Sequence, residues 1–101
     1  MERPTITIEG KKYEMKDLVG KDWRIMGEFV EASPTYLDAD FIEKNAAFIA
    51  EFYDTTAEEI LDKMPLEEIL PASRDIQSYM INQLSAKIKV IEKNAEAGKE
   101  Q

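Results

Sequence analysis

Apolar and polar side chains alternate with a period of two over residues 5–15, which is the pattern of two half-buried strands. A two-residue loop at Gly10-Lys11 pairs Ile8 with Tyr13 and places the apolar side chains of both strands on one face. A loop one residue earlier pairs Ile8 with Lys11 and is expected to mix the two faces. We therefore predict a hairpin over 5–15 with the loop at Gly10-Lys11. Because an isolated hairpin is only marginally stable, its apolar face is expected to pack on helices. That face carries Ile6, Ile8, Tyr13 and Met15.

The rest of the chain repeats apolar residues at helical spacing and predicts four helical stretches. Ser33-Pro34 is expected to end the first helix, because the residue before a proline avoids the helical conformation. Pro71 is expected to separate the third stretch from the last helix in the same way. The predicted bounds are residues 21–32, 39–53, 57–70 with a break at Pro65, and 72–93.

Individual residues support these helices. Asp38 is expected to cap the second helix, and Thr56 and Glu59 form a capping box at the start of the third. Asn45 projects into the apolar face of the second helix and is expected near its exposed end. The first helix is expected to bury a face made of Trp23, Ile25, Met26, Phe29 and Val30.

The last helix has a wider apolar face than packing on one side requires. Its apolar positions spread over about 200°, whereas a surface helix of a small domain needs roughly 100° to 120°. Gln83 and Lys87 interrupt this face, which argues against complete burial. The excess predicts a protein-binding surface, and the open edge of the hairpin is a second candidate. The candidate interface residues are Tyr79, Met80, Leu84, Ile88 and Ile91.

Composition sets the domain count and the fold class. The chain has 101 residues, of which 44% are hydrophobic and 34% are charged, and this balance suits one globular domain. We assign residues 1–93 to that domain and expect the polar residues 94–101 to form a disordered tail. The order β-β-α-α-α-α predicts an α+β fold that is predominantly α, with a long last helix.

The sequence contains no cysteine and no histidine, which excludes thiol nucleophiles, disulfides and the commonest general base and metal ligand. Paired carboxylates occur where helix starts are predicted, and capping and the helix dipole already explain acidic residues there. These pairs are Asp38/Asp40, Glu58/Glu59 and Glu67/Glu68. We therefore expect no enzymatic activity, no cofactor and no metal site.

The net charge of −8 opposes binding to nucleic acid phosphates and to anionic membranes. No apolar run approaches the roughly 20 residues of a membrane span, and the N-terminus does not read as a signal sequence. The expected location is therefore the cytoplasm. The acidity is interpreted mainly as a source of solubility, and the alternative is an acidic inhibitor that mimics DNA.

Five segments of the chain stand in an order and spacing typical of one family. They are residues 6–15 (ITIEGKKYEM), 20–24 (GKDWR), 40–43 (DFIE), 52–62 (FYDTTAEEILD) and 65–71 (PLEEILP). In this order they resemble the tail assembly chaperones of long-tailed, siphovirus-type bacteriophages and prophages of Gram-positive bacteria. The resemblance covers about residues 5–91.

The resemblance implies a non-catalytic helical protein with a β element, made in the bacterial host cytoplasm and absent from the mature virion. Such chaperones bind the tape measure protein, keep it soluble and promote assembly of the tail tube protein around it. Many also exist in a longer, frameshifted form. Self-association stays open, and so does a third class of function, a structural head–tail or tail component.

Overall fold

The structure is a computed structural model, which describes the backbone of residues 2–99 and the side chains of residues 2–88. Over those residues the chain forms an antiparallel hairpin followed by four helices, the last of them long. The predicted α+β, predominantly α fold is confirmed. The elements are β1 (Thr5–Ile8), β2 (Lys11–Glu14), α1 (Gly20–Ala32), α2 (Phe41–Ala50), α3 (Ala57–Lys63) and α4 (Leu66–Lys99).

The hairpin turns at Glu9-Gly10, so the predicted loop at Gly10-Lys11 is wrong. Glu9 and Gly10 both have positive φ, 49° and 81°, which is the conformation of a type I′ turn. Ile8 consequently pairs with Lys11 rather than with Tyr13. The Lys11 ammonium lies 4.8 Å from the centroid of the Tyr13 ring, a cation–π contact along β2.

The predicted buried face of the hairpin survives this change of register. The observed and predicted registers differ by two residues, which is the period of side-chain direction in a strand. Every side chain therefore stays on its face, and the expected mixing of the two faces does not occur. Ile6, Ile8, Tyr13 and Met15 are all buried.

Helix α1 ends where the sequence indicates, at Ala32, with Ser33 in the left-handed conformation just before Pro34. Phe29 of α1 stacks on Phe48 of α2, with ring centroids 4.4 Å apart. Met26 lies at the centre of the predicted apolar face and is buried. Trp23 and Val30 lie at one edge of that face with 44% and 51% of their surfaces accessible, so their predicted burial is wrong.

Helix α2 is shorter than the predicted range 39–53. Its N-cap is Asp40 rather than Asp38, whose carboxylate instead accepts a hydrogen bond from the Thr35 N–H. After Ala50 the chain turns and still delivers the next two aromatic residues, Phe52 and Tyr53, to the core. The Phe52 carbonyl accepts a 3.0 Å hydrogen bond from the backbone N–H that follows Met15, which joins this turn to the end of the hairpin.

Asn45 of α2 is buried, whereas the sequence places it near the exposed end of the helix face. Its Nδ2 donates a 2.9 Å hydrogen bond to the carbonyl of Phe41, one turn earlier in the same helix. The helix backbone thus supplies the partner that a buried amide needs.

Helix α3 begins at the predicted capping residue, because the Thr56 hydroxyl accepts a hydrogen bond from the Glu59 N–H. Helix α4 then begins at Leu66, directly after Pro65, and it continues through Pro71. The predicted separation at Pro71 is wrong. A proline removes one backbone hydrogen bond from a helix, and here the buried residues on both sides, Ile69 and Ile76, keep the segment on the core.

The backbone of α4 is helical to Lys99, beyond the predicted end at residue 93. The predicted disorder of residues 94–101 concerns a part of the chain whose side chains lie outside the described residues, and it stays a prediction. Within the described part of the chain, no helix is both long and apolar enough to cross a membrane.

One core joins the hairpin, the turn after α2 and the first half of α4. Its innermost large side chains are Ile49, Phe52, Ile60, Ile69 and Ile76. A helix of the length of α4 spans about 51 Å, close to the longest dimension of the molecule, 59 Å. Among the described side chains, the last buried one in α4 belongs to Met80.

Candidate functional site

A groove of about 410 Å³ lies where α4 leaves the core, between α4, the start of α1 and the loop before α1. Its apolar and aromatic lining comes from both walls, namely from Leu18, Val19, Trp23, Tyr79, Met80 and Leu84. Val19 and Trp23 are exposed, and 40% of the surface of Leu84 is accessible. Charged side chains border the groove, namely those of Arg3, Asp17 and Lys87.

Asp22 holds one wall of this groove in place. Its side chain is completely buried, and its Oδ2 accepts a 2.8 Å hydrogen bond from the N–H of Val19, one of the donors that a helix start leaves unpaired. Its Oδ1 lies 3.2 Å from the Nζ of Lys16. The two groups form an ion pair, but their geometry is not that of a hydrogen bond. The carboxylate therefore fixes both the loop and the first turn of α1, from which Val19 and Trp23 project.

Arg3 closes one end of the groove. Its Nη1 donates to the Met15 carbonyl at 3.2 Å and to Asp17 Oδ1 at 2.9 Å. The side chains of Tyr79 and Asp17 raise the pKa of Arg3, so the guanidinium stays charged and this end of the groove holds an ion pair of Arg3 with Asp17.

The predicted interface residues fall into three groups. Tyr79 and Met80 are buried and form the inner wall of the groove, and Leu84 lines it from α4. Ile88 is exposed one turn farther along the helix and does not line the groove. The side chain of Ile91 lies outside the described residues.

Val19 and Trp23 are groove residues that the sequence did not identify as such. The apolar face of α1 is about 160° wide, wider than a surface helix needs, and Trp23 lies at one edge of it. The argument that identified the last helix could therefore have identified Trp23. Val19 carries no comparable signal, because only the folded loop brings it beside α4.

Two further apolar side chains are strongly exposed in the loop between α1 and α2. Tyr36 and Leu37 have more than three quarters of their surface accessible. Neither side chain lines the groove described above, which lies at the other end of α1.

Members of two of the three carboxylate pairs make structural contacts. Glu59 accepts a 2.9 Å hydrogen bond from the Tyr13 hydroxyl, and that bond lowers the pKa of Glu59, so the group stays anionic near neutral pH. Asp40 forms an ion pair with Lys44 at 3.5 Å, one turn along α2. Over the residues that the structure describes, no group of three or more acidic side chains is arranged to hold a metal ion.

Comparisons of the chain with models of protein families, with curated proteins and with solved structures give no match. What supports a function is therefore the groove itself, together with the order of the sequence motifs.

Proposed function

We propose that this chain is a tail assembly chaperone of a long-tailed bacteriophage or prophage, which binds the tape measure protein without catalysing a reaction. The observation that carries the proposal is the apolar groove between Trp23 and Leu84. The five motifs that resemble this family of chaperones select the partner. The chain would act in the cytoplasm of the bacterial host and be absent from the mature virion.

The chemistry of the groove suits a helical partner with large apolar side chains. An amphipathic helix binds a groove by inserting side chains spaced three or four residues apart, and aromatic residues supply much of the energy of such contacts. Trp23 presents a large and partly desolvated ring, because 44% of its surface is accessible and the rest is covered. The charged side chains of Arg3, Asp17 and Lys87 lie at the border of the groove, so a partner's apolar side chains would contact its centre.

The acidic net charge supports the second part of the proposed function, which is to keep an aggregation-prone partner in solution. A net charge of −8 on 101 residues makes copies repel one another at low ionic strength. Several copies bound along a tape measure protein would spread that charge over its length. Tail tube protein would then replace them during assembly.

Co-expression with the tape measure protein of the same phage tests the proposal. The wild-type chain is expected to keep the tape measure protein in the soluble fraction and to co-purify with it. Trp23→Asp places a charge in the groove and is expected to abolish both effects. Leu61→Asp is the matched control, because Leu61 is 39% exposed on α3 and does not line the groove.

Three results would contradict the proposal. The tape measure protein could stay insoluble with the wild-type chain, or Leu61→Asp could impair binding as much as Trp23→Asp. The chain could also be found in purified virions, which would indicate a structural tail component. Selective competition with DNA for a DNA-binding enzyme would instead favour the DNA-mimic alternative.

A further inference from the structure

Two neighbouring lines of side chains along α4 change in character just after Met80. The line that faces the core becomes polar, and the line beside it becomes apolar. The first line faces the core and consists of Ile69, Ser73, Ile76 and Met80, all of them buried. Its next two positions are Gln83 and Lys87, which are polar and exposed. The core-facing side of the helix therefore ends at Met80.

The second line is displaced from the first by one residue, or about 100° around the helix. Before this change the half-buried Leu70 is followed on this line by the polar Arg74 and Gln77, and after it the line contains Ile81, Leu84 and Ile88. All three apolar side chains are exposed, and Ile88 has 44% of its surface accessible. The sequence continues the same spacing with Ile91.

The spacing of this second line is that of a coiled coil. Residues 81, 84, 88 and 91 are separated by three, four and three positions, which are the a and d positions of a heptad repeat. The helix that carries them extends to Lys99, past the last buried side chain of the described part. A helical segment outside a core gains little stability on its own and is typically stabilised by a partner along its apolar face.

We propose that α4 beyond Met80 pairs with the same segment of a second copy of this chain, in a parallel two-stranded coiled coil. Charge complementarity selects this partner. Lys87 occupies the g position and Glu92 follows five residues later at the e position. In a parallel pair each g position comes opposite the next e position of the other helix, so two such pairs of opposite charge form. In an antiparallel pair Lys87 and Glu92 do not come opposite each other.

This pairing goes beyond the proposed function, because it requires no tape measure protein. It uses the face of Ile81 and Ile88, which do not line the groove, while Leu84 and Lys87 lie at the border between the two surfaces. The seam covers fewer than three heptads, so the association is expected to be weak and dependent on concentration. Two copies joined by their projecting helices would present two grooves to one long partner, which raises the avidity for that partner.

Sedimentation equilibrium of the full chain, from about 10 μM to about 1 mM, measures this association over the expected range of affinity. The mass is expected to rise from that of one chain, 11.6 kDa, towards that of two. Ile88→Asp is expected to remain a single chain throughout. Leu66→Asp is the control on the same helix, since Leu66 is 65% exposed and precedes the seam, and it is expected to behave like wild type.

A wild-type chain that stays monomeric over this range would overturn the proposal. The same holds if Ile88→Asp associates as well as wild type while circular dichroism shows that both variants are folded. The first result would leave the exposed seam to another protein, and the second would place the contact on another surface.

The orientation is tested by two further variants. The chain has no cysteine, so Ile88→Cys introduces a unique thiol. In a parallel pair the two thiols lie at the same level and are expected to form a disulfide on mild oxidation, whereas Leu66→Cys is not. Lys87→Glu is expected to weaken association, and the double variant Lys87→Glu with Glu92→Lys to restore it. Absence of restoration, or equal cross-linking of both cysteine variants, would contradict the parallel arrangement.

Discussion

At the scale of single residues, the groove depends on a charged group that the fold has removed from water. The carboxylate of Asp22 is fully buried. It accepts a hydrogen bond from the Val19 N–H and forms an ion pair with the Lys16 ammonium. A buried carboxylate is costly unless such partners compensate for its lost hydration. Because Trp23 follows directly in the chain, the orientation of the groove wall depends on the same contacts.

Asp22→Asn keeps the size of the side chain and removes its charge. We expect it to lower the free energy of unfolding by about 1.5–3 kcal/mol, the range for a hydrogen bond to a charged group. Urea denaturation measures the change. Asp17→Asn is the control, because Asp17 is almost fully exposed and its solvent-screened ion pair with Arg3 is expected to contribute little to stability. Equal losses in the two variants would contradict the role assigned to Asp22.

Tyr53 links stability to pH on the alkaline side. Burial raises the pKa of Tyr53 to about 12 from its ordinary value of 10.0, and its hydroxyl donates to the Pro4 carbonyl at 2.9 Å. The folded state therefore favours the neutral phenol. This contribution to stability is fully present below pH 10 and is lost as the pH rises from 10 to 12.

Urea denaturation at a series of alkaline pH values measures this effect. The free energy of unfolding of the wild-type chain is expected to fall as the pH rises through this window. Tyr53→Phe is expected to be less stable at neutral pH, because it loses a hydrogen bond, but to show a shallower fall. A residual slope is expected from Tyr13, whose pKa is raised by its hydrogen bond to Glu59. An unchanged slope in Tyr53→Phe would refute the linkage.

The sequence predicts the centres of helix faces more reliably than their edges. Met26 lies at the centre of the apolar face of α1 and is buried, whereas Trp23 and Val30 at its edge are exposed. Periodicity defines the direction in which a helix faces the core, but the width of the covered strip depends on how closely neighbouring elements approach. One wall of the groove, from Met80 to Leu84, could therefore be predicted. On the other wall, the wide apolar face of α1 could have indicated Trp23, whereas Val19 could not be predicted because only the folded loop brings it beside α4.

At the scale of elements, the hydrophobic pattern of the hairpin is compatible with two registers. Both registers place the same four apolar side chains on the buried face, because they differ by a full side-chain period. The choice between them falls to the two turn residues. In the observed turn Glu9 has a positive φ, a conformation that a Cβ atom disfavours. Gly10 also has a positive φ, but without a Cβ atom it adopts this conformation at no steric cost.

Two glycine substitutions are expected to act in opposite directions. Gly10→Ala should destabilise the protein by about 1–2 kcal/mol, because its φ of 81° is unfavourable for alanine although an added Cβ would meet no atom within 4 Å. Gly27→Ala in α1 should stabilise it by about 0.5–1 kcal/mol, since alanine favours the helix and the space around Gly27 is equally open. Thermal unfolding of both variants measures the two effects. A stabilising Gly10→Ala would contradict the turn assignment, and a destabilising Gly27→Ala would contradict the open helical position assigned to Gly27.

Helix α4 shows tertiary packing overriding a local signal. Pro71 predicts a break, yet the helix continues through it with Ile69, Ala72 and Ile76 buried along one face. A proline inside a helix forfeits one backbone hydrogen bond and crowds the preceding turn, at a cost of about 3 kcal/mol. Burial of each large aliphatic side chain contributes about 1.5–3 kcal/mol, so Ile69 and Ile76 together offset the loss. Sequence reasoning cannot make this comparison before the packing partners are known.

At the scale of the whole molecule, the described structure separates a packed body from a helix that extends past it. The groove lies at the junction, with the loop before α1 on one side and α4 on the other. Its position supports the proposal that one partner binds across the junction, while the face of Ile81 and Ile88 is left for a second copy. The two proposals can fail separately, because Trp23 belongs only to the groove and Ile88 only to the seam.

The most direct measurement of the central proposal uses the fluorescence of Trp23, which is the only tryptophan in the chain and lines the groove. A purified helical fragment of the tape measure protein that lacks tryptophan would be titrated into the wild-type chain. We expect saturable binding with a shift of the tryptophan emission to shorter wavelength, because the exposed part of the ring becomes covered. Leu61→Asp should give the same curve. Binding that leaves the emission unchanged, or no binding at all, would contradict the account.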